Sequence, residues 1–201
     1  MGTQRLTFDA PRHEYRWDGR VVPGVTSLLS SLSNFGFLSP EDLEAAQDRG
    51  TYVHALTELN DIDDLDEEHE SKGEHWPRLL AWRKFCKDHG ANWEGIEEIG
   101  YSERFGFAGT LDRRGRLERF TGDAKWVIDV KSSASKSKVW GLQLAAYRQI
   151  LIERDMTWAL ARRGTVRLLA DGTYRFDELM NPRDWDAFAA LITLNNWKTY
   201  V

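Results

Sequence analysis

The stretch from Phe107 to Tyr147 constrains the fold of this chain most, because it contains an apolar strand segment that carries charged residues. Side chains alternate between the two faces of a strand. In the segment WVIDVK, Asp129 and Lys131 are therefore expected on one face, with Ile128 and Val130 packed on the other. Since the neighbouring residues are apolar, the charged pair lies where burial is expected, which argues against a solvated surface.

A second carboxylate, Asp112, closes an apolar segment and precedes Arg-Arg-Gly, which predicts a strand over Phe107–Asp112 that enters a hairpin. If this strand pairs with the one that carries Asp129 and Lys131, the three polar groups share one surface. Two carboxylates aimed at one point repel each other unless a cation lies between them, and their hard oxygen atoms suit Mg²⁺ or Mn²⁺. The backbone carbonyl of Val130 is a further candidate ligand. The sequence thus predicts a metal site.

The predicted helix that follows, Val139–Glu153, places Gln143 and Tyr147 on one face, because they are four residues apart. These two side chains are expected to orient Lys131 or to contact the substrate backbone. Trp140, three residues before Gln143, is a candidate for stacking on a base.

Length and cysteine content limit the class of protein. With 201 residues and 41% hydrophobic content, we expect one globular domain over the whole chain. The single cysteine, Cys86, excludes an intramolecular disulfide, a four-cysteine zinc site and a four-cysteine iron-sulfur cluster. The chain shows no secretion signal and no run of about 18 apolar residues, so we expect a cytoplasmic protein, bacterial or from a phage-infected cell, without membrane contact.

The net charge of −5 argues at first against a polyanionic partner, but its distribution does not. Seven acids lie within Asp61–Glu70, which leaves 27 basic against 25 acidic residues in the remainder. The stretch Tyr101–Trp140 carries nine Lys or Arg against five acids. The basic excess surrounds the candidate site, and nucleic acid therefore stays a possible partner.

Turn and capping signals divide the chain into predicted elements. The helices are Pro40–Asn60, Pro77–His89, Val139–Glu153 and Pro182–Trp197. The strands are an N-terminal hairpin over Phe8–Val22, then Glu94–Arg104, Phe107–Asp112, Trp126–Lys131, Trp158–Arg162, Val166–Leu169 and Thr173–Phe176, with a turn at Arg163-Gly164. Asp61–Gly73 is acidic and reads as a solvated loop. This order predicts a mixed α/β fold, in which helices flank a mixed sheet.

The helix predicted over Pro40–Asn60 places Gly50 and His54 on one face. Glycine costs about 1 kcal/mol against alanine in a helix interior, so we expect something to approach closely at Gly50. A histidine on such a face is, by odds of roughly two to one, a core residue and not a ligand.

Four segments in order resemble the PD-(D/E)XK nuclease superfamily, and most closely its RecB-type branch, which includes phage exonucleases and the mitochondrial genome maintenance exonuclease. They are RGTYVH (Arg49–His54), GTLD (Gly109–Asp112), DVKSS (Asp129–Ser133) and QLAAY (Gln143–Tyr147). Each segment alone is weak, but the ordered set is specific. Two departures are that Leu111, not proline, precedes Asp112 and that the cluster cysteines of some relatives are absent.

The resemblance implies that His54, Asp112 and Asp129 are metal ligands and that Lys131 is catalytic. It implies that Gln143 and Tyr147 lie near the nucleic acid, and it reverses the odds on the histidine. It also implies a restriction-endonuclease-like core over about residues 91–201, behind a helical part over about residues 25–90. Glu98 and Glu103 are weaker candidates for a further carboxylate, and Tyr52 and Arg113 for contact with the strand.

These features predict an Mg²⁺- or Mn²⁺-dependent DNA exonuclease of phage recombination or DNA repair, with DNA ends as substrate and a recombination or replication protein as a possible partner. Two alternatives stay open. One is a structure-specific or sequence-specific endonuclease of the same fold. The other is a DNA-binding or partner-binding module without turnover. Strand polarity and oligomeric state are not predicted.

Overall fold

The computed structural model describes residues 5–32 and 39–199 and contains two sheets. The strands are β1 (Leu6–Asp9), β2 (Glu14–Trp17), β3 (Arg20–Val22), β4 (Ala91–Ser102), β5 (Phe107–Leu117), β6 (Lys125–Lys131), β7 (Arg162–Leu168) and β8 (Tyr174–Glu178). The α-helices are α1 (Val25–Leu29), α2 (Pro40–Asp61), α3 (Glu67–Glu70), α4 (Trp76–His89), α5 (Glu118–Thr121), α6 (Val139–Arg154) and α7 (Asp184–Thr199). Short 3-10 helices cover Ser30–Leu32 and Met156–Leu160.

The larger sheet has the strand order β4-β5-β6-β7-β8. All its neighbours are antiparallel except β6 and β7, which are parallel and are joined through α6. A parallel pair needs a crossover of this kind, because a tight turn only reverses the chain. The predicted class, a mixed sheet flanked by helices, is confirmed.

Two apolar clusters cover the two faces of this sheet. On one face, Val127 and Leu111 pack with α1, α6 and α7. On the other face, Ile128 and Val130 pack with residues of α2 and α4, among them Trp82. The alternation predicted for β6 is therefore confirmed, and it directs Asp129 and Lys131 toward the α6 side.

The N-terminal strands form a separate three-stranded sheet around the predicted Asp18-Gly19 turn. Both turn residues have positive φ, 47° and 78°, as a two-residue hairpin requires. Trp17 stacks on Tyr101 of β4 with 4.3 Å between ring centroids. Tyr15 donates or accepts a hydrogen bond at 2.8 Å with Thr110 of β5. The small sheet thus packs on the β4–β5 end of the large one.

The helices begin and end close to the predicted positions. The Ser39 hydroxyl accepts a hydrogen bond from the Asp42 amide at the start of α2. Gly90, with φ 61°, ends α4 in the left-handed conformation that a C-terminal glycine permits. Among the described residues, no helix has the length and apolar character needed to cross a bilayer.

The strand predicted over Trp158–Arg162 is wrong, and so is the turn at Arg163-Gly164. The Asp155 carboxylate accepts a hydrogen bond from the Thr157 amide and caps a 3-10 helix there. Arg163 and Gly164 instead lie inside β7. The ring of Phe176 packs against Gly164, where a Cβ would come within 2.6 Å of it, so glycine is needed for strand packing and not for a turn.

Two further predictions are corrected. β5 does not end at Asp112 but continues to Leu117, because its second half pairs with both β4 and β6. The acidic segment is not wholly solvated either. Asp61 ends α2 and accepts hydrogen bonds from the buried Trp82 and Arg113, and the short α3 follows it.

Candidate active site

The α2 helix carries the imidazole of the candidate site. Val53 and Leu56 are buried against the sheet and fix the rotation of the helix. His54 Nδ1 then lies 3.5 Å from an Asp112 carboxylate oxygen and 3.4 Å from Glu97 Oε1. Tertiary packing of one helix therefore brings the histidine of the RGTYVH segment to the two central strands.

Asp112 lies where β5 separates from β6. The ladder between these strands ends at the pair Arg113–Ile128, and the Val130 amide donates a 2.7 Å hydrogen bond to Asp112 Oδ2 instead. Leu111 packs on the α6 side, whereas Arg113 contacts residues of α2. Residues two apart on a regular strand share a face, so the alternation along β5 is broken at Asp112.

Glu97 lies across from Asp112 on β4, between the pairs Ile96–Arg113 and Glu98–Leu111. Its φ is 46°, a left-handed value that costs a residue with a Cβ on the order of 1 kcal/mol. Arg113 donates a 3.0 Å hydrogen bond to its Oε1. The irregular backbone and this contact together direct the Glu97 carboxylate toward His54.

His54, Glu97 and Asp112 offer one ligand atom each within 4.8 Å of one another. One nitrogen and two carboxylate oxygens at this spacing form a donor set that a divalent cation accepts. Among the described residues, no other group of three or more His, Cys, Asp or Glu side chains has its ligand atoms within this distance.

Asp129 and Lys131 lie beside this group on the α6 side. The Lys131 ammonium is 2.9 and 2.8 Å from the two Asp129 carboxylate oxygens and 3.2 Å from Gln143 Oε1. Asp129 is 1% exposed, whereas the Lys131 side chain keeps 20% exposure. The lysine is therefore held by two partners while about a fifth of its side chain stays exposed to solvent.

α6 supplies a short chain of hydrogen bonds behind Lys131. Gln143 Nε2 donates to the Tyr147 hydroxyl at 3.0 Å, and the tyrosine itself is buried. The Tyr147 ring packs against Gly109, where a Cβ would come within 2.7 Å of it, which explains glycine in the GTLD segment. The ring centroid of Trp140 lies 5.9 Å from the Lys131 ammonium. The sequence prediction that Gln143 and Tyr147 orient Lys131 agrees with this geometry.

The charges of the site shift its pKa values strongly. Burial raises the pKa of Asp129 to about 6, although Lys131 opposes the shift. Burial also raises the pKa of Asp112, and repulsion by Glu97 adds to it. Burial lowers the pKa of His54, but Asp112 and Glu97 outweigh it and raise that pKa to about 9. In the metal-free protein a protonated His54 therefore supplies the positive charge that these carboxylates require.

No family model matches this chain, and no curated protein matches it. Membership of the PD-(D/E)XK superfamily thus stays a prediction from the four sequence segments.

The side chains of the candidate site are suited to bind a divalent cation. The buried Asp112 carboxylate lies beside the part-buried Glu97, and burial first, then repulsion by Glu97, raises the pKa of Asp112. Asp129 Oδ2 is buried without a hydrogen bond of good geometry among the described residues, although the Lys131 ammonium is 2.8 Å away. Hard oxygen donors with one imidazole favour Mg²⁺ or Mn²⁺.

The structure does not bring all predicted ligands together. Asp129 lies outside the group His54, Glu97 and Asp112, although the charges of Asp112 and His54 act on its pKa. Val130 contacts the site through its amide, which donates to Asp112, and a ligand role for its carbonyl stays a prediction.

The structure contradicts one of the predicted substrate contacts and leaves the others as predictions. Arg113 is fully buried and bonded to Asp61, Thr57 and Glu97, so its predicted contact with a strand is wrong. Trp140 is 8% exposed, and its stacking on a base stays a prediction. Tyr52 is 43% exposed, and its hydroxyl donates to a Glu70 carboxylate oxygen.

Sequence reasoning missed Glu97. It favoured Glu98 or Glu103 as a further carboxylate, but Glu98 pairs with Arg114 and Glu103 lies 3.8 Å from Arg5. Regular strand alternation puts residue 98 opposite 111 and gives no reason to choose 97. The one indication in the sequence is the pair of adjacent glutamates in EEIG. The irregular backbone directs the first of them, Glu97, toward the site.

Proposed function

We propose that this protein is an Mg²⁺- or Mn²⁺-dependent deoxyribonuclease that hydrolyses phosphodiester bonds from DNA ends. The observation that carries the proposal is the group His54, Glu97 and Asp112 beside the Asp129–Lys131 ion pair. The ordered resemblance of four segments to PD-(D/E)XK nucleases supports it. On this proposal the five-stranded sheet and its helices are the nuclease core, and the protein acts in DNA recombination or repair in the cytoplasm.

His54, Glu97 and Asp112 would hold the ion, with Asp129 as a further carboxylate beside it. When bound, such an ion would polarise a phosphodiester oxygen and lower the pKa of a coordinated water. Asp112 is kept in position by the Val130 amide, and Glu97 by Arg113. Each carboxylate thus has a fixed orientation before substrate binds, which lowers the cost of assembling the site.

Lys131 offsets negative charge that develops on the phosphate oxygens during attack. Its ammonium acts as a compact point charge, and Asp129 and Gln143 fix its position. Because Tyr147 in turn holds the Gln143 amide, the carboxamide oxygen faces the lysine. Asp129 would accept the proton of the attacking water as the water oxygen bonds to phosphorus and the P–O bond to the leaving strand breaks.

The proposal predicts that purified protein degrades linear DNA with Mg²⁺ or Mn²⁺ and that EDTA stops the reaction. Asp129→Ala is expected to reduce the rate by at least about a hundredfold, because it removes a carboxylate beside the ion and the partner that fixes Lys131. The control is Asp123→Ala, an exposed aspartate in the turn before β6, with an unchanged rate. Degradation that persists in EDTA or in the Asp129 variant would contradict the mechanism.

A comparison of linear with closed circular DNA tests the requirement for an end. An exonuclease degrades linear DNA and leaves closed circles intact. Cutting of closed circles at a similar rate would favour the endonuclease alternative. Metal-independent DNA binding without cutting would favour the binding module.

A further inference from the structure

A second group of basic side chains lies outside the metal-binding residues, on α2 and at the start of α4. Arg49 is on α2, and His75 and Arg78 are at the beginning of α4. Arg78 Nη1 is 3.4 Å from His75 Nδ1. The Nε atoms of Arg49 and Arg78 are both buried without a hydrogen-bond partner in the part of the chain that the structure describes. We name Arg49, His75 and Arg78 the basic cluster.

The carboxylate that faces the basic cluster, Glu74, is exposed and forms an ion pair only with His75 among the three residues. Within residues 5–32 and 39–199, no ion pair joins an acid to Arg49 or Arg78. The nearby Glu74 lies 3.4 Å from His75 Nε2, but its side chain is 86% exposed. A buried donor without an acceptor costs on the order of 1–3 kcal/mol, so an acceptor from outside the chain would stabilise both Nε groups.

The like charges of the basic cluster act on one another. Burial lowers the pKa of Arg78, and the charge of Arg49 lowers it further. Burial likewise lowers the pKa of His75, and both arginines lower it further, although the exposed Glu74 opposes them. An anion placed between the guanidinium groups removes this repulsion. A phosphate suits the position, because guanidinium groups donate parallel N–H bonds to phosphate oxygens.

The basic cluster lies close to the candidate active site along α2. Arg49 precedes His54 by five residues, or about 8 Å of helix. Between them, a methyl group added at Gly50 would meet only Ser132 Oγ, at 4.0 Å, and Ser132 directly follows Lys131. The expected close approach at Gly50 is therefore not made by the protein itself. The space beside this glycine lies between Arg49 and His54 on α2.

We propose that Arg49, His75 and Arg78 bind a phosphate group of the DNA strand, adjacent to the phosphodiester that is cut. This proposal rests on the proposed nuclease function for the identity of the ligand. Tyr52 stands at the rim of the basic cluster, with its ring centroid 5.1 Å from that of His75. The cluster holds the strand in register while the scissile bond lies at the metal-binding residues. It carries no sequence information, since backbone contacts position the strand and base contacts specify it.

The test is binding of a single-stranded oligonucleotide in EDTA, measured by fluorescence anisotropy at several salt concentrations. Arg49→Gln and Arg78→Gln are each expected to weaken binding about tenfold, because each removes one charge-assisted phosphate contact. The slope of log affinity against log salt falls by about 0.7 per lost contact. The matched control, Arg175→Gln on the exposed side of β8, removes the same charge elsewhere and leaves affinity within about twofold.

Lysine variants, a check of folding and a second ligand distinguish failure of the phosphate site from failure of the nuclease proposal. Arg49→Lys and Arg78→Lys keep the charge and are expected to restore part of the affinity, and circular dichroism checks that each variant is folded. Equal affinity of wild type and both glutamine variants would overturn the basic cluster as a phosphate site, while metal-dependent cutting would leave the nuclease proposal intact. If wild type binds no DNA, inorganic phosphate decides: thermal stabilisation that both glutamine variants lose supports the phosphate site and contradicts the nuclease. No stabilisation of wild type overturns the phosphate site.

Discussion

Substitution of Lys131 distinguishes a role in catalysis from a role in metal binding. An ammonium group has no lone pair to offer a cation, so it cannot be a ligand. We expect Lys131→Ala to lower the single-turnover cleavage rate by about a hundredfold or more, because the charge that stabilises the transition state is lost. The same variant keeps Mn²⁺ affinity within about threefold of wild type, or increases it, since a nearby positive charge is gone.

The two readouts for Lys131 are rapid-quench cleavage of linear DNA and calorimetric titration with Mn²⁺. Lys138→Ala, an exposed lysine at the start of α6, is the matched control and leaves both values unchanged. Loss of Mn²⁺ binding in Lys131→Ala together with loss of cleavage would show that the lysine acts on the fold of the site and not on the reaction.

His54 makes the stability of the metal-free protein depend on pH. Its pKa is about 9 in the folded protein, above the value of about 6.5 in an unfolded chain. A raised pKa means that its contribution is complete below pH 6.5 and is lost as pH rises through 9. In EDTA, the free energy of unfolding of wild type relative to His54→Gln should fall by about 3 kcal/mol between pH 6 and pH 9.5.

Urea denaturation of the two proteins at both pH values measures this difference, and the subtraction removes groups that titrate in both. A difference that does not change with pH would mean that His54 does not carry the charge that balances Asp112 and Glu97.

At the residue scale, the sequence was sufficient to predict those site residues that regular secondary structure places on one face. Asp129 and Lys131 follow from strand alternation, and Gln143 and Tyr147 from helical spacing. Glu97 could not be found in this way, because its position depends on a left-handed residue inside a strand.

At the scale of elements, β5 is held to α2 by Arg113. This buried side chain donates 2.7 Å and 3.0 Å hydrogen bonds to Asp61 and Glu97, so it links the end of α2 to the site. Removal of one partner from a buried ion pair typically costs about 3–5 kcal/mol, because it leaves uncompensated charge. We expect Arg113→Met to lower the free energy of unfolding by about that amount, measured by urea denaturation.

Arg116→Met is the control for Arg113. Arg116 is on the same strand and pairs with Glu94, but its side chain is 32% exposed. Exposed pairs contribute about 0–1 kcal/mol, so this variant should change stability by less than about 1 kcal/mol. Equal effects of the two substitutions would mean that Arg113 does not link α2 to β5 as its contacts indicate.

Helix boundaries were predictable because caps are local signals, as Ser39 and Gly90 illustrate. The strands near β7 were not, because their residues are selected by partners far along the chain. From the local sequence alone Gly164 is typical of a turn, yet in the structure the ring of Phe176 of β8 packs against it. Asp155 likewise caps a 3-10 helix in a segment whose apolar residues suggest a strand.

At the scale of the whole molecule, the order of elements was sufficient to predict the class of fold. Adjacent strands with short connections form an antiparallel meander, and the longer segment that contains α6 allows β7 to lie parallel to β6. What this order could not predict is that His54 of α2 comes to lie beside Asp112, since that depends on the broken alternation of β5 at Asp112. The expected division into a helical part and a core within one domain stays a prediction.

The most direct test of the account is the Mn²⁺ dissociation constant, measured by titration calorimetry for four proteins. The account predicts that wild type and Glu98→Gln bind one ion with similar affinity. It predicts that Glu97→Gln and Asp112→Asn bind it at least about tenfold more weakly, because each loses a charged ligand. Equal Mn²⁺ affinity in wild type, Glu97→Gln and Asp112→Asn would contradict the claim that His54, Glu97 and Asp112 form the metal site.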